Sequence, residues 1–268
     1  FILGEMNGET LESVRRCGLS EVTVLRDPVA RTISMYQHYH DVNPSMWMGA
    51  EMGPEDLARR VSPHTCGYGT FCFPDSPRHG DLFLYAETCF LTHSDCGIWD
   101  NHQTLTLSGS RPLAEPHSRR FALAVQSLDK IAFFGLTEYF RHSVCLFLDA
   151  WLRDDTEVFE ACCLHEEPTD ACEFVERYNP QSETHQYNFP SAREDPDYQK
   201  DFTSVPATLS ALLAGNRLDC ELYTHALWAF RSRIEDLQKR RNVTLGEIDT
   251  PPVGMDFCQW KYSELATS

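Results

Sequence analysis

The spacing of apolar and polar positions changes several times along this chain. Val22–Leu25 is a β-branched-rich run between polar residues and reads as a short buried strand. Arg26 and Asp27 follow directly. Asp27 suits an N-cap, with Pro28 at the first helical position, and the helix is predicted to reach about His40. Residues 41–118 are loop-rich, with scattered Pro and Gly. Helical spacing returns over Arg119–Asp129, and Ile131–Leu136 reads as a second buried strand. Thr137 is expected to cap the next helix, whose apolar face is Phe140, Val144, Phe147, Leu148 and Trp151. Residues 165–205 are polar and acidic and predict a long excursion within a single domain. A last helix is predicted from Asp219 to about Arg241, with Leu222, Leu227, Phe230, Ile234 and Leu237 on its core face.

Strands alternating with helices predict an α/β fold with a mostly parallel sheet flanked by helices. Such sheets bind ligands beyond the carboxyl ends of their strands. Arg26 stands at that place, beside a helix N-terminus whose free amides and dipole attract anions. A guanidinium can hold a phosphate through two parallel hydrogen bonds. Residues 27, 31, 34 and 38 share a helix face, so Ser34 can present its hydroxyl to the same anion. The plainer alternative is a surface Arg-Asp turn, with Ser34 filling the helix face.

The 268 residues are 42% hydrophobic and 12% aromatic, enough for a sizeable core and against wholesale disorder. A net charge of -17 argues against nonspecific nucleic-acid binding. Local basic patches survive it, because exposed charges are screened within about 8–10 Å. No apolar run approaches the ~18 residues of a membrane span. The first residue is Phe1, so a processed or partial chain is expected, with any membrane anchor outside it.

Eleven cysteines and the sequon Asn242-Val243-Thr244, a candidate glycosylation site, point to an oxidising lumen. Cys66 with Cys72 and Cys89 with Cys96 each close a short loop near turn residues, which suits the local disulfides Cys66–Cys72 and Cys89–Cys96. The odd count leaves a free thiol or an outside partner. No metal is expected. Cys162-Cys163-Leu164-His165 lacks the spaced ligands of a zinc site, so a disulfide or buried thiol fits better. His38 and His40 suit a structural role at the end of the first helix, and Glu166, Glu167, Asp170 and Glu173 a solvated face.

The segment LRDPVARTISMYQHY resembles the 3'-phosphate-binding segment of the membrane-bound Golgi carbohydrate sulfotransferases. It is most similar to the branch of heparan sulfate 2-O-sulfotransferase and uronyl 2-O-sulfotransferase. TCGYGTFC and ETCFLTHSDCGIWDN resemble that branch's two disulfide loops, IAFFGLTEYFRHSVCLFLDAW its strand-Gly-Leu-Thr-Glu-helix segment, and LDCELYTHALWAFRSRI its C-terminal helix. The resemblance spans about residues 20–240. It implies a P-loop-like three-layer fold, 3'-phosphoadenosine 5'-phosphosulfate as donor, a carbohydrate hydroxyl as acceptor, and a single-pass type II protein of the Golgi lumen. Arg26 and Ser34 would grip the donor's 3'-phosphate. Lys200 and Thr203 would lie in a loop that closes over the nucleotide.

The resemblance has three departures. NHQTLTLSG, Asn101–Gly109, follows the family's N-x-Q-T-R-x-L-x-G stretch except at Leu105, where Arg is common. Phe1–Leu19 holds no glycine-and-lysine phosphate loop, so the chain is expected to lack its N-terminal strand and 5'-phosphosulfate loop. The family's Gly-His pair reads Gly4-Glu5 here, which would make Glu5 the general base for a sugar hydroxyl; a solvated Glu5 is the alternative. The activity expected is sulfuryl transfer by in-line displacement, with amides and cations stabilising the leaving phosphate. The rival is an inactive nucleotide- or carbohydrate-binding module of the same fold. A P-loop kinase would need a Walker A sequence and a magnesium ligand, and the sequence shows neither.

Overall fold

Two short strands pair in parallel. β1 (Val22–Leu25) lies beside β2 (Phe133–Leu136), with Val22 opposite Phe133 and Leu25 opposite Leu136. The computed structural model describes residues 22–42, 53–61, 101–109, 117–152, 156–164, 172, 196–263 and 265. Its helices are α1 (Pro28–Val42), α2 (Pro54–Val61), α3 (His102–Ser108), α4 (His117–Lys130), α5 (Phe140–Trp151), α6 (Thr156–Cys163), α7 (Pro196–Thr203), α8 (Pro206–Gly215), α9 (Arg217–Arg241) and α10 (Phe257–Tyr262). The architecture is helix-dominated with a small parallel sheet, compatible with an α/β fold.

All four residues of β2 are buried, as expected for a strand covered on both faces. Successive strand residues point to opposite faces. Phe133 meets Phe147 and Trp151 of α5, at ring distances of 5.5 and 5.7 Å. Phe134 meets Phe230 of α9 at 6.3 Å. Helices α5 and α9 therefore cover opposite faces. The core face foreseen for α9 is fully buried, and its helix starts at Arg217 rather than Asp219.

Three local expectations change. Ile131 and Ala132 precede the strand instead of opening it. Thr137 does not cap a helix. It begins a 3₁₀ turn, Thr137–Tyr139, and α5 starts after Tyr139 with no side-chain cap. Ser143 does the anchoring instead. Its Oγ accepts from Leu136 N at 2.8 Å and lies 2.9 Å from Tyr139 O. The loop-rich region holds α2 and α3, and the excursion over 165–205 ends in α7. Proline at the front of α2, α7 and α8 marks where these helices begin, because its missing N–H is one that a helix start leaves unpaired.

Ser143 brings α5 against Gly135. A Cβ on Gly135 would lie 3.0 Å from Ser143 Cβ and 3.1 Å from its Oγ. Gly135→Ala should lower stability by about 1–3 kcal/mol, the usual scale for overpacking a core. Chemical denaturation checks it, and an unchanged midpoint would refute the tight packing.

Among the described residues, six cysteines form three disulfides: Cys145–Cys163, Cys162–Cys172 and Cys220–Cys258. They tie α6 to α5, α6 to residue 172, and α10 to α9. The Cys162-Cys163 pair is thus disulfide-bonded. This set of bonds agrees with a secreted or lumenal protein. Cys66–Cys72 and Cys89–Cys96 lie outside the described residues, as do Glu5, His165, the acidic cluster and the side chains of His38 and His40. Among the described residues no helix is long and apolar enough to cross a membrane.

Where α5 ends, Asp149 accepts from Arg240 Nη2 and Arg241 Nε, both at 2.8 Å. Burial favours the neutral acid, but the two guanidinium groups outweigh it and hold the carboxyl below its usual 3.8. A depressed folded-state pKa stabilises above the unfolded pKa and is lost as pH falls through the folded one. Asp149→Asn should therefore cost about 1–3 kcal/mol at pH 7. The estimate belongs at the low end, because Arg240 is 57% exposed. Unfolding series of both proteins should converge below about pH 3.8; a gap that persists in acid would contradict the ion-pair account.

Candidate functional site at the carboxyl end of the strands

The site is built on the Arg26–Asp27 turn. Asp27 is the predicted N-cap: its Oδ1 accepts from Val29 N at 2.9 Å and Ala30 N at 3.2 Å. Its Oδ2 accepts from Lys261 Nζ and Tyr262 Oη, both at 2.6 Å. A fully buried carboxylate thus has four donors, two from its own helix and two from α10. Its backbone N–H donates to Glu138 Oε1 at 2.9 Å, and Glu138 Oε2 accepts from the Tyr223 hydroxyl. Burial pushes Tyr223's pKa well above its ordinary value, and the Glu138 charge adds to the rise, so the phenol stays a donor. Glu138 is the glutamate of the Gly-Leu-Thr-Glu segment. Its role is to join the two strand ends.

Arg26 is fixed from the other side. Its N–H donates to Gln103 Oε1 at 2.9 Å, and its carbonyl accepts from Gln103 Nε2 at 2.8 Å. One amide side chain thereby satisfies both backbone groups just past the strand, where the ladder has ended. Gln103 is held by an exchange of caps. Asp219 of α9 accepts from Gln103 N and Thr104 N at 3.0 and 2.7 Å. Asn101 accepts from Leu218 N and Asp219 N at 2.6 and 3.1 Å, so each helix start is capped by a side chain from the other. Asn101 sits in the left-handed region at φ 48°, a conformation that asparagine tolerates better than most side chains.

Ser34 lies two turns into α1. Val29, Ala30, Thr32, Ile33 and Tyr36 are buried, whereas Arg31, Ser34 and Met35 are only partly covered. Of the face predicted to meet a ligand, Asp27 is buried, while Arg31 and Ser34 are partly covered. Thr32 lies on the closed side, 3.1 Å from Asn216 Oδ1, and ties α1 to the junction of α8 and α9. Phe202 of α7 packs edge-on against Tyr36 at 5.8 Å, which brings the Lys200 segment beside α1. Lys200 is exposed. Thr203 is buried, with its hydroxyl 3.3 Å from Lys200 O on its own helix, so Lys200 is the more available of the two. Leu105 is partly exposed on α3.

Sequence reasoning named Arg26 and Ser34 as an anion site, and Asp27 as the N-cap that the structure shows. It missed Gln103, Glu138, Asp219, Lys261 and Tyr262 as the groups that hold the turn. Gln103 and Glu138 belong to segments that carry the family resemblance, and their polar identity beside apolar neighbours was the available signal. Lys261 and Tyr262 had none, because their contact with Asp27 spans 234 and 235 residues.

Two other groups fall to structural roles. Cys220, Asp256 and Cys258 bring ligand-type atoms together. The two sulfurs are bonded to each other, and Asp256 caps α10 by accepting from Gln259 N at 2.9 Å. Asn242 of the sequon is exposed and ends α9 in the left-handed region at φ 53°. In comparisons with protein-family models, curated proteins and solved structures, no match to this chain is found.

Proposed function

We propose that this chain is a sulfotransferase domain that moves a sulfuryl group from 3'-phosphoadenosine 5'-phosphosulfate to a carbohydrate hydroxyl. One observation carries the reading. The Arg26 backbone is clamped by Gln103 at the end of a parallel strand, next to a helix start fixed by Asp27, with Ser34 partly covered on that helix. Such a turn presents a guanidinium, helix amides and a hydroxyl to one anion. The sequence resemblance adds the identity of the anion, the nucleotide's 3'-phosphate, and the P-loop-like three-layer fold as the finer architecture. In this reading Arg26 and Ser34 bind the 3'-phosphate, Lys200 covers the nucleotide with Thr203 behind it, and Glu5 takes the acceptor's proton. The transfer uses no metal, and the 5'-phosphosulfate needs a separate phosphate-binding loop. The lumen of the Golgi is the setting, with a type II anchor beyond this chain and no role for nucleic acid.

Titration calorimetry with 3'-phosphoadenosine 5'-phosphate tests the donor half. Arg26→Ala should weaken binding by about 1.5–3 kcal/mol, the scale of a hydrogen bond to a charged group. No binding by the unmodified protein, or unchanged affinity in the variant, would end the reading. Binding without transfer of labelled sulfuryl to any glycan would favour the second reading, a nucleotide- or carbohydrate-binding module of the same fold. Its support is the missing glycine-and-lysine loop in Phe1–Leu19.

A further inference from the structure

The sequon Asn242-Val243-Thr244 takes no part in the Arg26 turn. It is the chain's one usable sequon, because Asn43-Pro44-Ser45 has proline at the middle position. The asparagines of the described residues differ in what they do. Asn101 is 7% exposed, and its Oδ1 accepts from Leu218 N and Asp219 N. Asn216 is fully buried, and its Nδ2 donates to Leu212 O at 2.9 Å. Asn242 and Thr244 are both exposed, and so are Gly246 and Glu247 beyond them. On the other side, the Lys239 and Arg240 side chains are 75% and 57% exposed. A bulky substituent on the Asn242 amide therefore has room that the other two asparagines lack.

Backbone groups and Gln238 hold the turn that carries the sequon. The N–H groups of Asn242 and Val243 both donate to Gln238 O, and Leu245 N donates to Gln238 Oε1 at 2.7 Å. Asn242 closes α9 in the left-handed region at φ 53°, a place that glycine or asparagine usually fills. Compartment and chemistry agree here. Three disulfides fit a secreted or lumenal protein, and asparagine-linked oligosaccharides belong to proteins of that route. Asp219, in the first turn of α9, holds Gln103 and through it the Arg26 turn. Asn242 ends the same 25-residue helix, roughly 35 Å away. An oligosaccharide there leaves the Arg26 turn open.

We propose that Asn242 carries an N-linked oligosaccharide, standing at the end of α9 far from the Arg26 turn. The side-chain nitrogen attacks the anomeric carbon of the first sugar in an oligosaccharide held on a polyprenyl diphosphate. A carbon–nitrogen bond forms, and the carbon–oxygen bond to the diphosphate breaks. The diphosphate leaves with that electron pair, and the amide releases one proton. The Thr244 hydroxyl marks the acceptor for the transferase. The site rests on the lumenal setting of the proposed function, and not on its nucleotide or sulfuryl chemistry.

The test takes the full-length protein from the cells that make it. Peptide mass spectrometry reads Asn242 and the Cys220–Cys258 bridge in one sample. The Asn242 peptide should carry hexose and N-acetylhexosamine mass. Peptide-N-glycosidase F in heavy-oxygen water should remove that mass and leave a labelled aspartate at position 242. Asn242→Gly and Thr244→Ala, made in the same cells, should each lose the sugar completely, whereas Thr244→Ser should keep it. Asn242→Gly retains a residue suited to the left-handed backbone, and Thr244→Ala leaves Asn242 untouched. If one of them does not fold, the other and the wild-type peptide decide. An intact bridge beside an unmodified Asn242 overturns the site and leaves the lumenal setting standing. Reduced cysteines beside an unmodified Asn242 overturn both. Sugar that persists on Asn242 in Thr244→Ala would overturn attachment through the sequon.

Discussion

Replacing Asp27 with alanine should lower the stability of the fold by about 3–5 kcal/mol, the scale for removing one partner of a buried charge pair. Three losses combine. The cap on α1 goes, at about 1 kcal/mol. The Tyr262 hydroxyl, in a residue only 4% exposed, loses its 2.6 Å acceptor, at about 1–3 kcal/mol. The pair with Lys261 goes as well, and this share is the smallest, because the lysine side chain is 39% exposed and can turn to water. The order of variants follows. Asp27→Asn keeps a capping oxygen for Val29 and Ala30 but turns an amide donor or a neutral oxygen toward two donors, so it should fall between Asp27→Ala and the wild type. Lys261→Met should cost least. Urea unfolding of the three variants checks the series. A loss below about 1 kcal/mol for Asp27→Ala would mean that the four-donor carboxylate does not hold the turn in solution.

That prediction marks the boundary of what was legible in the sequence. Asp27 as an N-cap, Pro28 at the first helical position and a strand over Val22–Leu25 follow from local rules, and each stands in the structure, but the burial expected of that strand does not: only Leu25 is buried and Val24 is 50% exposed. The long helix through Leu222, Leu227 and Phe230 was legible for the same reason, because its apolar stripe repeats over six turns and more. Thr137 misled because a threonine between a strand and a helix is a usual cap. Here Ser143, one turn inside α5, takes over both Leu136 and Tyr139. Helix α8 was missed because its residues are apolar nearly all round, which gives no stripe to read. The site is half legible on the same principle. Arg26 and Ser34 are nine residues of chain from end to end, whereas the groups that fix them come from α3, the turn after β2, α9 and α10. Long-range polar pairing leaves no period in a sequence.

The second large effect concerns the tether of α10. Replacing Cys220 and Cys258 together with serine should destabilise the fold by about 4 kcal/mol in the chain-entropy account, given a separation of 38 residues. The same account gives about 3 kcal/mol for the bonds spanning 18 and 10 residues, so this bridge should matter most. Its loss should also reach the site. Lys261 and Tyr262 are three and four positions beyond Cys258 on a six-residue helix, too short to persist without packing. Besides the Lys261 and Tyr262 bonds to Asp27, α10 is then held by contacts that include the Phe257 N–H on Thr224 Oγ1 at 2.7 Å and the Tyr223–Phe257 ring contact at 4.6 Å. If α10 loosens, Asp27 loses two of its four donors before any residue of the turn is changed. The disulfide and Asp27 should then be coupled. Combining the serine pair with Asp27→Ala should destabilise by less than the two separate effects together, with a shortfall of about 0.5–3 kcal/mol. Denaturant unfolding of the cycle measures that term. Strict additivity would show that α10 stays docked without its disulfide, and would leave the bridge a constraint on the unfolded chain alone.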